Sequence, residues 1–275
     1  MKNYILKTTL IVAAFTALTF TSCKRDTWDA NDTTTTEDQS LADATENDIF
    51  KLGDDAVSNG NVTLKNGDVE TLAGSCATVT IDSGSNPKKA TIDFGTANCM
   101  GNDGKNRRGK IIITHTGKWY AVGSVMTITT QDFYVNDNKI EVTKTVTCSA
   151  PLTWTIEVKN GKITIANNGG TITWSTSRTR KMTAGSNTPF ILSDDKYEIT
   201  GSASGTNRSA IAYTMNITTP LTVDFSCLKS RVTKGVITFT VSGKADRSID
   251  FGNGTCDDEA VVTVGKNSKT IVLKR

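Results

Sequence analysis

TITWSTS, residues 171 to 177, alternates small polar and apolar side chains. In an extended chain Ile172 and Trp174 fall on one side, and Thr171, Thr173 and Ser175 on the other. A period of two describes a strand with one packed and one wet face. The pattern recurs outward in both directions, in KIIITHT, SVMTITT, KIEVTKTVT, TWTIEV, KITIA, KYEITGSA, AYTMNITT, GVITFTV, AVVTV and TIVL. These runs are rich in Val, Ile, Thr and aromatics, which fit a pleated surface. Turn signals stand between them: Asn66-Gly67, Asn160-Gly161, NDN at 136–138 and SDD at 193–195. The chain has only four prolines, and no ten-residue helical pattern separates the strands, which argues against parallel βαβ units. The expected fold is all-β: an antiparallel meander, sandwich or open barrel, forming a single β domain over 59–275.

Two segments repeat within it. FYVNDNKIEVT at 133–143 matches FILSDDKYEIT at 190–200, with Phe133, Asp137, Lys139, Glu141 and Thr143 aligned on Phe190, Asp194, Lys196, Glu198 and Thr200. GKIIITHT and GTITWSTS stand upstream of the two copies. The β body therefore reads as two related units with internal pseudo-symmetry.

One helix is expected ahead of it, over 38–58. Thr36 and Gln39 have capping-box spacing, and Leu41, Thr45, Ile49, Leu52 and Ala56 share one helical face. Such a helix is expected to cover a face or edge of the sheet.

The N-terminus sets the expected compartment. Lys2 and Lys7 precede an apolar run from Leu10 to Phe20, and Thr21-Ser22-Cys23 follows. That is the layout of a secretory signal, and the run is short of the roughly 20 apolar residues of a membrane span. The cysteine after small residues resembles a bacterial lipobox, with Phe20 where leucine is usual. The expectation is a lipoprotein signal peptide over 1–22, lipidation at Cys23, and an acidic, Thr-rich tether over 23–37.

Removing Lys2 and Lys7 from 31 basic residues leaves 29 against 28 acidic ones. Near-neutrality argues against a nucleic-acid partner. The charge is unevenly spread: residues 24–64 hold ten carboxylates against three basic side chains, so the remainder is net basic by about eight.

Five further cysteines remain, and export permits disulfides. IDFGTANC at 92–99 and IDFGNGTC at 249–256 each end a strand, bend at glycine and close on a cysteine. Cys76–Cys99 and Cys227–Cys256 would each bracket a β-hairpin, although spacing alone leaves other connectivities open. Cys148 is left over and reads as a buried free thiol.

The DFG in both copies lacks the rest of a kinase signature. Asp250, Asp257 and Asp258 lack calcium-loop spacing, so no metal and no cofactor are expected. His115 is the single histidine. It lies in a strand on the face of Ile111 and Ile113, without a nucleophile motif, so no catalytic residue is assigned and the chain is read as a non-enzyme.

Candidate ligand-binding residues are of two kinds. Trp119, Trp154 and Trp174 could stack on sugars. Arg107, Arg108 and Lys110, with Arg178 and Arg180, could attract acidic polysaccharide or lipid phosphate.

Together SCATVTIDSGS, ATIDFGTANCMGNDGKNRRGKIIIT, TITWSTSRTRKMTAG, YEITGSASGTNR, IDFGNGTCDDEAVVTV and Cys23 resemble a family of uncharacterised Bacteroidota (Flavobacteria-type) lipoproteins. The resemblance spans nearly the whole mature chain. It implies an all-β body held at the envelope by its lipid, and it implies no activity. Asp32-Thr33-Thr34 resembles the O-glycosylation sites of that phylum, which makes Thr33 a candidate site. The functional expectation is an outer-membrane-anchored lipoprotein, a structural or partner-binding module. A glycan-binding surface protein and a periplasmic lipid or lipoprotein carrier are the alternatives, with glycan, lipid or an envelope protein as the partner.

Overall fold

The computed structural model describes residues 33–59, 77–82, 84–101, 103–118, 120–188, 192–227 and 230–273. One helix, α1 (Thr34–Asn59), precedes β1 (Thr78–Asp82), β2 (Lys88–Asp93), β3 (Cys99–Met100), β4 (Asn106–His115) and β5 (Val125–Val135). β6 (Asn138–Glu141), β7 (Thr143–Ala150), β8 (Thr153–Thr164), β9 (Thr171–Ala184) and β10 (Lys196–Thr206) follow. β11 (Ala212–Asp224), β12 (Val232–Val241), β13 (Arg247–Asn253), β14 (Glu259–Val264) and β15 (Asn267–Val272) complete the chain.

All fifteen strands join one antiparallel sheet, in the order β1-β2-β4-β5-β6-β8-β9-β10-β11-β12-β13-β14-β15. β3 hangs on β4, and β7 fills the place beside β6 between β5 and β8. The fold is thus a meander, the simplest of the expected antiparallel arrangements. The opening stretch behaves as its period requires: Ile172 and Trp174 are buried while Thr171 and Thr173 are half exposed.

Local geometry departs from the expected turns at one point. Asn160-Gly161 is no turn. β8 runs through it as a bulge, with Asn160 at φ 54° and the register against β9 shifting between Val158 and Gly161. Gly161 is required there because the Trp174 ring lies across it, and a Cβ would stand 2.5 Å from that ring. TWTIEV and KITIA are therefore one strand that pairs first with β7 and then with β6. By contrast, Asn136 and Asp137 do turn the chain between β5 and β6, both at positive φ. Its counterpart SDD ends a short 3-10 turn, Leu192–Asp194, that leads into β10. The two repeat copies thus differ at their turns. Asn66-Gly67 lies outside the described residues.

α1 begins four residues before the expected start, so the threonines from Thr34 onward are helix rather than tether. Gln39 does not reach back to cap it. Its amide donates to Asp43 and its carbonyl accepts from Tyr213. The buried stripe is also rotated from the expected one: Asp38, Ala42, Glu46, Ile49 and Leu52 are buried, while Leu41 and Thr45 are half exposed.

α1 packs on the inner face of the sheet. Ala42, Ile49 and Leu52 join Ile92, Ile111, Ile113, Ile128, Phe133, Ile163 and Trp174 in the main core. The helix comes so close at Gly53 that a Cβ there would lie 3.2 Å from both Ile113 and Ile128. A second cluster, with Tyr213, Met215, Phe239, Val241 and Ile249, holds the C-terminal strands. The β12–β13 hairpin is closed by Cys227–Cys256, with a Cα separation of 5.2 Å. Cys99 is disulfide-bonded as well; its expected partner, Cys76, lies outside the described residues.

Candidate functional site

The inner face is occupied by the protein's own helix, through an acid–base ladder. At its N-terminal end Asp38, fully buried, accepts from the Arg208 amide at 2.7 Å and from the Arg208 guanidinium. Five residues on, Asp43 takes both of its oxygens to Arg178, at 2.8 and 3.0 Å. Glu46 accepts from Trp174 Nε1 and Thr176 Oγ1, and lies 3.6 Å from Lys144 Nζ. Asp48 meets Arg107 at 2.9 Å and Lys105 at 3.0 Å. Arg107 also holds Asp103, at 2.6 Å.

The electrostatic consequences follow from burial and pairing. Burial opposes the charge of Asp103, but the Arg107 donors outweigh it and hold the carboxyl below its ordinary range. Lys144 goes the other way. Burial pushes its ammonium below the usual lysine range despite the pull of Glu46. Lys144 is held by one buried acid, by the Glu46 carbonyl at 3.3 Å and by the Phe50 ring.

Most of the candidate ligand-binding residues are consumed by this architecture. Trp154 and Trp174 are 2% and 1% exposed; they are core side chains and offer no platform to a sugar. Arg107 is 1% exposed and doubly paired, and Arg178 is spent on Asp43. Arg180 lies over the Tyr197 ring at 3.5 Å. Arg108 lies over Tyr134 at 3.9 Å and is bonded to Asp137 and Asn98. Lys110 pairs with Asp93 at 2.8 Å. These cations read as a ligand patch in sequence because partners such as Asp48, Asp43, Asp93 and Asp137 come from other segments. Trp119 and Cys23 lie outside the described residues, and Thr33 is exposed ahead of α1.

His115 is half-buried, with Nδ1 3.1 Å from the Gly117 carbonyl. Cys148 is a buried free thiol directed at the Ala150 carbonyl, and burial pushes its pKa up, away from reactivity. Asp224, Cys227 and Cys256 place ligand atoms within 4.8 Å of one another. The two sulfurs are bonded to each other, and Asp224 is engaged by Lys196 at 2.7 Å and by Ser226, so the trio is not a metal centre.

The opposite face of the sheet is different in chemistry. Cross-strand neighbours run Thr114, Thr127, Thr145, Glu157 and Ser177 from β4 to β9. The row continues through Ser202, Asn216, Thr238, Ser248, Thr263 and Ser268 to β15. Where it crosses β8–β11 the surface dips into an open trough of about 420 Å³. Ser175, Ser177, Ser202 and Ser204 line it together with Glu157, Lys159, Thr214 and Asn216. Sequence alternation placed these hydroxyls on one wet face, but the concavity depends on how four strands bend together. The charge asymmetry between residues 24–64 and the rest was the signal for the inner ladder.

Comparison with protein-family models, with curated proteins and with solved structures finds no match. No helix among the described residues is long and apolar enough to cross a membrane.

Proposed function

We propose that the protein is a lipid-anchored module of the bacterial outer membrane that binds a hydroxylated ligand, a carbohydrate, on the outer face of its sheet and does no chemistry on it. The anchor is Cys23, read from the lipobox and in keeping with the resemblance to Bacteroidota lipoproteins. The observation that carries the binding reading is the trough on β8–β11. The trough is open to solvent rather than enclosed, and its lining supplies hydroxyls, an amide, a carboxylate and an ammonium to a polyol. Filling of the inner face by α1 favours this reading over a lipid carrier, whose cargo would need the space that Ala42, Ile49 and Leu52 occupy.

Two measurements test it. The intact mass of the chain purified from membranes should show processing at Cys23 and added acyl chains; an unmodified Cys23 removes the anchor. Envelope polysaccharide titrated into the protein should bind, and the double variant Ser204→Leu/Asn216→Leu should lose at least tenfold in affinity with an unchanged melting temperature. Equal affinity in both proteins would remove the trough from the account.

A further inference from the structure

Two neighbouring loops leave apolar side chains in water at one end of the sheet. In the loop from β4 to β5, Tyr120 and Val122 are each 60% exposed. In the turn from β7 to β8, Leu152 is 41% exposed, held at φ 55°. The loops lie side by side because their strands pair: Gly123 N donates to Cys148 O at 2.8 Å, Cys148 N donates to Ser124 O at 3.0 Å, and β7 then turns into β8. Leu152 is fixed in turn to β9, its carbonyl accepting from Met182 N at 2.8 Å. The loop backbone is closed on itself by Ala121 N to Lys118 O and Ser124 N to Ala121 O, both at 2.9 Å. Among the described residues the other exposed large apolar side chains, Ile81, Met100, Val261 and Val272, lie on strands β1, β3, β14 and β15; this group of three differs in standing on two adjoining loops.

Charge identifies the occupant. Lys118 reaches over the Tyr120 ring, 5.9 Å from its centroid. Lys181 is exposed opposite Thr153, and Lys88 and Lys89 are exposed opposite His115 and Thr114. Arg107, Arg108, Lys144, Arg178 and Arg208 all pair with acids. These four lysines enter no salt bridge among the described residues. Asp82, the acid opposite Lys89, is turned to the Gly84 and Ser85 amides. An aromatic and two aliphatic side chains at the same end of the sheet as these exposed lysines match a bilayer interface, apolar below and anionic phosphate above.

We infer that the Tyr120–Val122–Leu152 tip is a docking surface for a bilayer that contains anionic phospholipid. The contact is separate from lipidation at Cys23 and from the trough. The aliphatic side chains enter the acyl boundary, Tyr120 stays at the headgroups, and the lysines meet phosphate.

The test uses the full chain with an environment-sensitive fluorophore on Val122→Cys, mixed with vesicles of phosphatidylglycerol and phosphatidylcholine. The emission should shift to the blue and be quenched by spin-labelled acyl chains. Lys118→Gln and Lys181→Gln should each weaken the phosphatidylglycerol-dependent response about fivefold. A probe that stays as wet as in buffer while the protein remains on the vesicles would leave the Cys23 anchor standing and overturn the tip contact. A blue shift that needs no vesicles, and grows with protein concentration, would assign the tip to a second copy and overturn it equally.

Discussion

Arg107 shows how thoroughly this chain spends its charge. It is almost fully buried, yet it satisfies Asp48 from the helix and Asp103 from its own loop. Read as sequence, Arg107-Arg108 with Lys110 is a basic patch; folded, each is matched to an acid. Carboxyls pay the complementary electrostatic role. Asp93 is held below the ordinary range by Lys110 and the Gly95 amide, and Glu141 by Lys162. Asp103 is held down by Arg107 against its burial. Each folded value lies below the unfolded one, so the stability these groups add is complete above about pH 4 and is lost as pH falls through the lowered folded values. Urea unfolding at pH 7 and pH 3 should therefore show a lower midpoint in acid. Asp103→Asn should show a smaller fall than the parent protein; an equal fall would mean that the Arg107 pair adds nothing to acid sensitivity.

α1 was legible as a helix, and the strands as strands, because those periods survive in a single sequence. Its register on the sheet was not. A hydrophobic count selects Leu41, Thr45, Ile49, Leu52 and Ala56, whereas the buried stripe includes Asp38 and Glu46. Buried acids belong on that stripe only because Trp174, Thr176 and Lys144 on strands, and Arg208 in the β10–β11 turn, wait for them more than ninety residues away. Asn160-Gly161 misled for a similar reason: its glycine serves a ring on the next strand, and local turn propensity carries no record of that. The Cys227–Cys256 hairpin was legible because its strands, turn and cysteines are contiguous. The helix–sheet joint gives a sharp expectation. Lys144→Met should cost about 3–5 kcal/mol by stranding the Glu46 charge. Adding Glu46→Gln should restore a good part of that loss, which a double-mutant cycle in urea would read as coupling. Additive losses would mean that Lys144 and Glu46 act independently.

The molecule as a whole has two dissimilar faces and two dissimilar ends. The fifteen described strands form one sheet whose inner face is covered by an acidic helix over β2, β4, β5 and β9, and whose outer face carries a row rich in Ser, Thr and Asn. α1 starts beside the β10–β11 turn, where Thr35 accepts from Asn207. The Tyr120 loop lies at the other end of the strands. In the proposed arrangement the lipid attachment thus leads into one end while the Tyr120–Val122–Leu152 tip is presented at the other, with the trough between them. The most direct test of the trough as the working surface is photo-crosslinking in living cells, with a photoreactive residue at Ser204 or, on the same face but outside the trough, at Thr263. The account predicts a polysaccharide adduct from position 204 and none from 263. An adduct from 263 with none from 204 would contradict it.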